Sequence, residues 1–175
     1  VILTFLTVFT FLSCTSANDE AINVVPYPND VEIKAGTCHA AGADFHFSSE
    51  MDEGSVDLVE ALAGQLSKVT GKMSSVDSET SKTGFTFSLD PSLAEEAYTL
   101  NVTRKSVTVE ASSLRGFNYA IQTIKQMLPA EIFGKEEVAG LDWSLPCVEI
   151  YDAPRFGYRG MHMDVVRHFF DMNMV

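Results

Sequence analysis

Apolar and polar residues alternate in five short stretches of the chain, which is the period of a β-strand with two unlike faces. The clearest pair, 98–102 and 107–111, is joined by the polar connection Thr103-Arg104-Lys105-Ser106 and predicts a β-hairpin. In 44–48 the alternation places Phe45 and Phe47 on one face. The remaining predicted strands are 31–34, 85–89 and a further short apolar stretch at 145–150.

Two longer segments repeat apolar residues at the spacing of one helix face. The first helix is predicted over 55–70, with Ser55 as its N-cap and Gly71 as the left-handed residue after its end. The second is predicted over 113–128 and ends before Pro129. The two apolar stripes comprise Val59, Leu62, Leu66 and Val69 in the first helix and Phe117, Ala120, Ile121, Ile124 and Leu128 in the second.

The predicted elements cluster by type instead of alternating one for one, which is typical of an α+β domain. We therefore predict that residues 24–150 form one α+β domain, with a mostly antiparallel sheet and two helices. A composition that is 46% hydrophobic is sufficient for a packed core of this size.

The first residues are predicted to be a targeting segment. Residues 1–12 are uncharged and largely apolar, and they are too few to span a bilayer but sufficient for a signal sequence. The Phe11-Leu12-Ser13-Cys14 sequence resembles a bacterial lipobox, which predicts lipidation of Cys14; an ordinary signal peptide is the alternative. We assign 1–17 to this segment and 18–23 to a tether, and expect an exported protein, either secreted or a periplasmic or outer-membrane lipoprotein.

Charge limits the classes of partner and marks a boundary. The net charge of −12 leaves no basic surface for a phosphate backbone, so we expect no nucleic-acid partner. Acidic and basic residues balance from Tyr151 onward, so the whole acidic excess precedes it. Asp152-Ala153-Pro154 breaks the chain direction at the same point, so residues 151–175 are predicted to begin another unit.

The sequence gives little support for a metal or a redox site. His162 and Asp164 share one face of a predicted strand at 159–164, but two ligands without a third are a weak metal signal. We therefore predict no metal and no cofactor. Cys38 and Cys147 are far apart in sequence, and they are interpreted as two buried free thiols, with a single disulfide as the alternative.

The Pro154-Arg155-Phe156-x-x-Arg159-Gly160-x-x-x-Asp164-x-x-Arg167-His168-Phe169 pattern resembles the opening of the catalytic (β/α)₈ barrel in glycoside hydrolase family 20 β-N-acetylhexosaminidases. Residues 115–128 are similar to a helix of that family's N-terminal domain. The resemblance implies that 24–150 is this N-terminal domain and that 151–175 is the truncated start of the barrel, with its first strand.

The resemblance also implies a chemistry. Enzymes of the family release terminal N-acetylglucosamine or N-acetylgalactosamine from glycans or chitin-type oligosaccharides, and the substrate's own acetamido group serves as the nucleophile in a retaining reaction. An adjacent Asp-Glu pair assists, and it lies downstream of the matched region. The Asp-Glu dipeptides here, Asp19-Glu20 and Asp52-Glu53, do not match that position. We therefore predict that the 1–175 chain is inactive and assign no catalytic residue within it.

The position of Arg167 in this pattern assigns it a role in the site. The resemblance implies that Arg167 hydrogen-bonds the terminal sugar, and that Arg159, Asp164 and His168 support it and the barrel strand. Two alternatives remain open at this point. One is a non-catalytic surface lipoprotein whose α+β domain binds glycan or protein, and the other is an exo-hexosaminidase without the acetamido requirement.

Overall fold

The computed structural model describes residues 22–78, 81 and 83–160. Its elements follow in the order β1 (Asp30–His39), β2 (Phe45–Phe47), α1 (Glu53–Thr70), β3 (Val76–Asp77), β4 (Gly84–Leu89), β5 (Tyr98–Val102), β6 (Ser106–Ala111), α2 (Leu114–Met127), a 3-10 turn (Ala130–Phe133) and β7 (Ser144–Asp152). The two helices and the six strands expected within residues 24–150 are all present. The two-residue strand β3 and the 3-10 turn were not predicted.

The strands form one seven-stranded sheet in the order β1-β7-β5-β6-β4-β2-β3. The sheet is mixed, so the expectation of a mostly antiparallel sheet holds for only one half of it. The β1–β7, β7–β5 and β5–β6 pairs are antiparallel, whereas β6–β4, β4–β2 and β2–β3 are parallel. The β2–β3 pair is parallel because the chain leaves β2 through α1 and returns in the same direction, which a helix crossover permits and a tight turn does not.

The core contains the inward residues of the central strands and the apolar stripes of both helices. Phe45 stacks on Phe85 with ring centroids 4.5 Å apart, and Phe87 lies 6.4 Å from both Phe45 and Phe117. Full burial of each such ring contributes about 1.5–3 kcal/mol to stability. These aromatic contacts therefore join the parallel half of the sheet to α2.

The start of α1 differs from its prediction in one detail. The N-cap is Asp52, not Ser55: the Asp52 carboxylate accepts from the Ser55 backbone N–H at 3.0 Å and from the Ser55 hydroxyl at 2.6 Å. Hydrogen bonds from Ser55 lower the pKa of Asp52 below its usual value. The helix end agrees with the prediction, since Gly71 has φ 66° in the left-handed region.

The first and last strands, β1 and β7, pair along most of their length. The register shifts between Ile33 and Thr37, and Thr37 lies opposite Pro146, which has no N–H to donate to the ladder. Cys38 and Cys147 lie close by, both buried and free, as interpreted from the sequence. Burial, followed by the proximity of Cys147, raises the pKa of the Cys38 thiol.

Several predicted segments fall partly or wholly outside the described residues. The predicted signal segment at 1–17 and residues 18–21 of the predicted tether at 18–23 lie outside them. Of the barrel strand predicted at 159–164, Arg159 and Gly160 are described and are not in a strand, and the rest lies outside. Between residues 22 and 160, no described helix is both long and apolar enough to cross a membrane.

Candidate functional site

A cleft of about 480 Å³ opens where the two ends of the described chain meet α2. We call residues 152–160, which follow β7 and lead out of the domain, the elbow. The cleft lies between the elbow, the segment before β1 and the outward side of α2. Its lining mixes aromatic and polar side chains, including those of Tyr27, Asn29, Tyr119, Gln126, Phe156 and Arg159.

Hydrogen bonds hold the two chain ends side by side at the base of this cleft. The Asn29 backbone N–H donates to Asp152 Oδ1 at 3.1 Å, and its side-chain amide donates to the Ala153 carbonyl at 2.7 Å. The Val25 N–H donates to Gln126 Oε1 on α2 at 2.9 Å. The residues that enter and leave the domain are therefore fixed to each other and to α2.

Beneath the cleft, a buried polar contact joins the sheet to α2. The hydroxyls of Tyr98 and Thr123 lie 2.7 Å apart, and Tyr98 is 1% exposed. Burial raises the pKa of Tyr98 to about 12. The phenol therefore stays neutral at ordinary pH and satisfies the hydroxyl of Thr123 in the core.

The elbow is tied to the domain by the guanidinium of Arg159. It donates to Glu96 Oε1 at 2.7 Å and to the Tyr119 hydroxyl at 2.9 Å, and it also donates to the Phe156 carbonyl within the elbow. Its carbon Cζ lies 5.7 Å from the centre of the Tyr119 ring, which is within cation–π range. The Glu96 hydrogen bond, followed by that of Tyr119, raises the pKa of Arg159.

We call Glu96, Tyr119 and Arg159 the Glu96 cluster. The Tyr119 hydroxyl donates to Glu96 Oε1 at 3.4 Å, so the carboxylate and the phenol support each other as well as the guanidinium. Arg115 on α2 approaches the same carboxylate at 3.9 Å but lies closer to Glu95, at 3.3 Å. Glu96 is 25% exposed at its side chain and Glu95 is 71% exposed.

This arrangement can orient a segment of chain, because the Glu96 carboxylate accepts hydrogen bonds from both Arg159 and Tyr119. In the described ranges, no group of three metal-ligating side chains comes together. Phe156 and Tyr158 on the elbow are 71% and 91% exposed, so both leave apolar surface open to solvent.

Of the site residues predicted from the sequence, Arg159 is described and lies in the Glu96 cluster. Asp164, Arg167, His168 and Cys14 lie outside the described residues. Glu96 and Tyr119 were not singled out from the sequence. The sequence does contain one indication of this site, because Tyr119 is an aromatic residue of the second helix that falls outside the apolar stripe of that helix.

The chain matches a known family over most of its length. The model of the family described as glycosyl hydrolase family 20, domain 2, matches residues 21–153. A β-hexosaminidase of Porphyromonas gingivalis is 46% identical over 77 residues, which is 44% of this chain and 10% of that protein.

Two solved structures share the fold over most of the described chain. The family 20 β-N-acetylhexosaminidase of Streptomyces coelicolor A3(2) superposes with a TM-score of 0.76 at 27% identity, covering 86% of this chain and 30% of that one. The family 20 exo-β-N-acetylglucosaminidase of Vibrio harveyi, solved with N-acetylglucosamine, superposes with a TM-score of 0.65 at 28% identity. The match covers 86% of this chain and 22% of that one. The matched region is thus a third or less of each of these three proteins.

Proposed function

This chain belongs to glycosyl hydrolase family 20, and from that premise we propose that the whole protein is an exo-acting β-N-acetylhexosaminidase. The match of the family's domain model over residues 21–153 is the observation that carries the proposal. The proposed substrates are glycans or chitin-type oligosaccharides that end in N-acetylglucosamine or N-acetylgalactosamine. The solved relative from Vibrio harveyi, which holds N-acetylglucosamine, supports this class.

The proposed reaction is substrate-assisted hydrolysis with retention at the anomeric carbon. The carbonyl oxygen of the substrate's acetamido group attacks that carbon, an Asp orients the acetamido group, and an adjacent Glu protonates the leaving oxygen. We place this Asp-Glu pair downstream of residue 175. The described domain contributes no catalytic group in this proposal, and its role is to support the start of the barrel.

Within the barrel start, we propose that Arg167 binds the terminal sugar and that Asp164 and His168 support it. A neutral sugar is recognised through directed hydrogen bonds, and a guanidinium offers five donors in a planar fork that can hold two neighbouring hydroxyls. The pattern from Asp164 to His168 supports this assignment.

Hydrolysis of a chromogenic N-acetylglucosaminide tests the proposed function. The whole protein is expected to release the chromophore in proportion to enzyme concentration, and the 1–175 chain is expected to release none, because the acid and the acetamido-orienting Asp lie downstream. Turnover by the purified 1–175 chain would refute the downstream placement. No turnover by a folded whole protein would favour the alternative of a non-catalytic protein that binds glycan or protein.

Export is a separate proposal with its own test. The uncharged segment 1–12 followed by Cys14 leads us to propose a lipid-modified N-terminus, since acylation at a terminal Cys gives stable membrane attachment. Mass spectrometry of the mature protein is expected to show a lipidated Cys14 as the first residue. An unmodified terminus at Thr15 or beyond would show that an ordinary signal peptide is removed instead.

A further inference from the structure

The elbow between the domain and the following chain is held by few contacts. Residues 155–160 are all exposed, and Gly157 has open space around it. Among the described residues, the hydrogen bonds that connect this stretch to the rest of the domain all come from the Arg159 guanidinium. The direction in which the chain leaves the domain therefore depends on the Glu96 cluster.

We propose that Glu96 and Tyr119 are positioning residues, which hold Arg159 and thereby fix the course of the chain that leads to Arg167. The inference rests on the proposed function, because Arg167 is eight residues beyond Arg159 and is the proposed sugar-binding residue. The cluster has a closed state, in which Arg159 is held and the sugar site is competent. It also has an open state, in which Arg159 is released.

The contacts of the cluster explain why the closed state is favoured but reversible. One carboxylate oxygen accepts from both Arg159 and Tyr119, and the phenol ring lies under the guanidinium. Arg159 is 38% exposed at its side chain, so water competes for the same donors. Exposed ion pairs shift an equilibrium by about fivefold or less, so a single substitution can change the open population measurably without unfolding the domain.

The chain offers a matched pair of substitutions. Glu96→Lys removes the acceptor and places a like charge beside Arg159. Glu95→Lys makes the same charge change one residue away, where the side chain contacts Arg115 and has no contact with Arg159. Tyr119→Phe is a milder third variant, since it removes only the hydroxyl and retains the ring. The unfolding midpoint of each variant establishes that it is folded.

Proteolysis of the 175-residue chain measures the opening directly. Trypsin must take the Arg159 side chain into its own pocket, so the cluster has to open before the bond after Arg159 is cut, and cleavage tracks the open population. Glu96→Lys is expected to accelerate this cleavage about two- to threefold, Tyr119→Phe less, and Glu95→Lys not at all. Cleavage after the exposed Arg155 serves as the internal reference. An unchanged rate at Arg159 in Glu96→Lys would overturn the proposal.

Kinetics of the whole protein separate positioning from mere loss of folded molecules. If only the closed state binds sugar, opening raises KM by the reciprocal of the closed fraction, whereas saturating substrate restores the closed state and kcat. Glu96→Lys is therefore expected to raise KM about twofold at unchanged kcat. A lower kcat at unchanged KM, or an equal effect of Glu95→Lys, would contradict positioning. If the parent protein shows no hydrolysis, the proposed function fails, and proteolysis still decides whether the cluster holds the elbow.

Discussion

Replacing Gly116 with alanine is expected to destabilise the domain by about 2 kcal/mol, although alanine is the better helix former by about 1 kcal/mol. A Cβ at Gly116 would lie 2.5 Å from the backbone carbonyl oxygen of Ala97 and 2.8 Å from the Ala111 side chain. A carbonyl of the backbone cannot rotate aside as a flexible side chain can. Helix α2 would therefore have to move away from the sheet, which would loosen contacts such as that of Phe117 with Phe87.

Gly64 on α1 provides the matched control for this prediction. It is also a helical glycine, but a Cβ there would meet nothing within 4 Å. Gly64→Ala is therefore expected to stabilise the domain by about 0.5–1 kcal/mol through helix propensity alone. Urea unfolding of the parent chain and both variants measures the change in the free energy of unfolding that each substitution causes. If both substitutions changed it in the same direction, the close approach at Gly116 would not be the controlling factor.

Substitution of Arg167 by lysine is expected to lower the kcat/KM of the whole protein by about 2–4 kcal/mol, which is about 30- to 1000-fold. Lysine retains the charge but concentrates it at a single nitrogen on a flexible stem, so it cannot span two neighbouring hydroxyls. In the proposed reaction, holding the sugar would also orient its ring toward the acid and the acetamido nucleophile. Part of the loss should therefore appear in kcat and not only in KM.

A different outcome for Arg167→Lys would assign Arg167 another role. If Arg167 only pairs with a carboxylate of the barrel, the substitution would lower the unfolding temperature and leave the activity of the folded fraction intact. Steady-state kinetics on a chromogenic N-acetylglucosaminide, normalised to the folded concentration, together with a thermal unfolding curve, distinguish the two roles.

The sequence by itself determined the elements that depend on local periodicity. The helix faces were predicted because an apolar stripe such as Val59, Leu62 and Leu66 reports burial directly, and these residues are at most 1% exposed. The hairpin of β5 and β6 was predicted because its connection is short and polar. Gly71 was predicted because a helix end that requires positive φ favours glycine. Each of these signals lies within a few residues of the structure it specifies.

Only the tertiary structure decided what joins distant parts of the chain. Strand order and direction depend on which edges meet, so the parallel β6–β4 and β4–β2 pairs could not be read from alternation, which is the same in both kinds of sheet. The Glu96 cluster is a further case: Arg159 lies 63 residues from Glu96 and 40 from Tyr119. A polar residue on a solvent-facing surface follows no periodic pattern in the sequence. Its hydrogen-bond partner is decided by the fold, which brings the two side chains together.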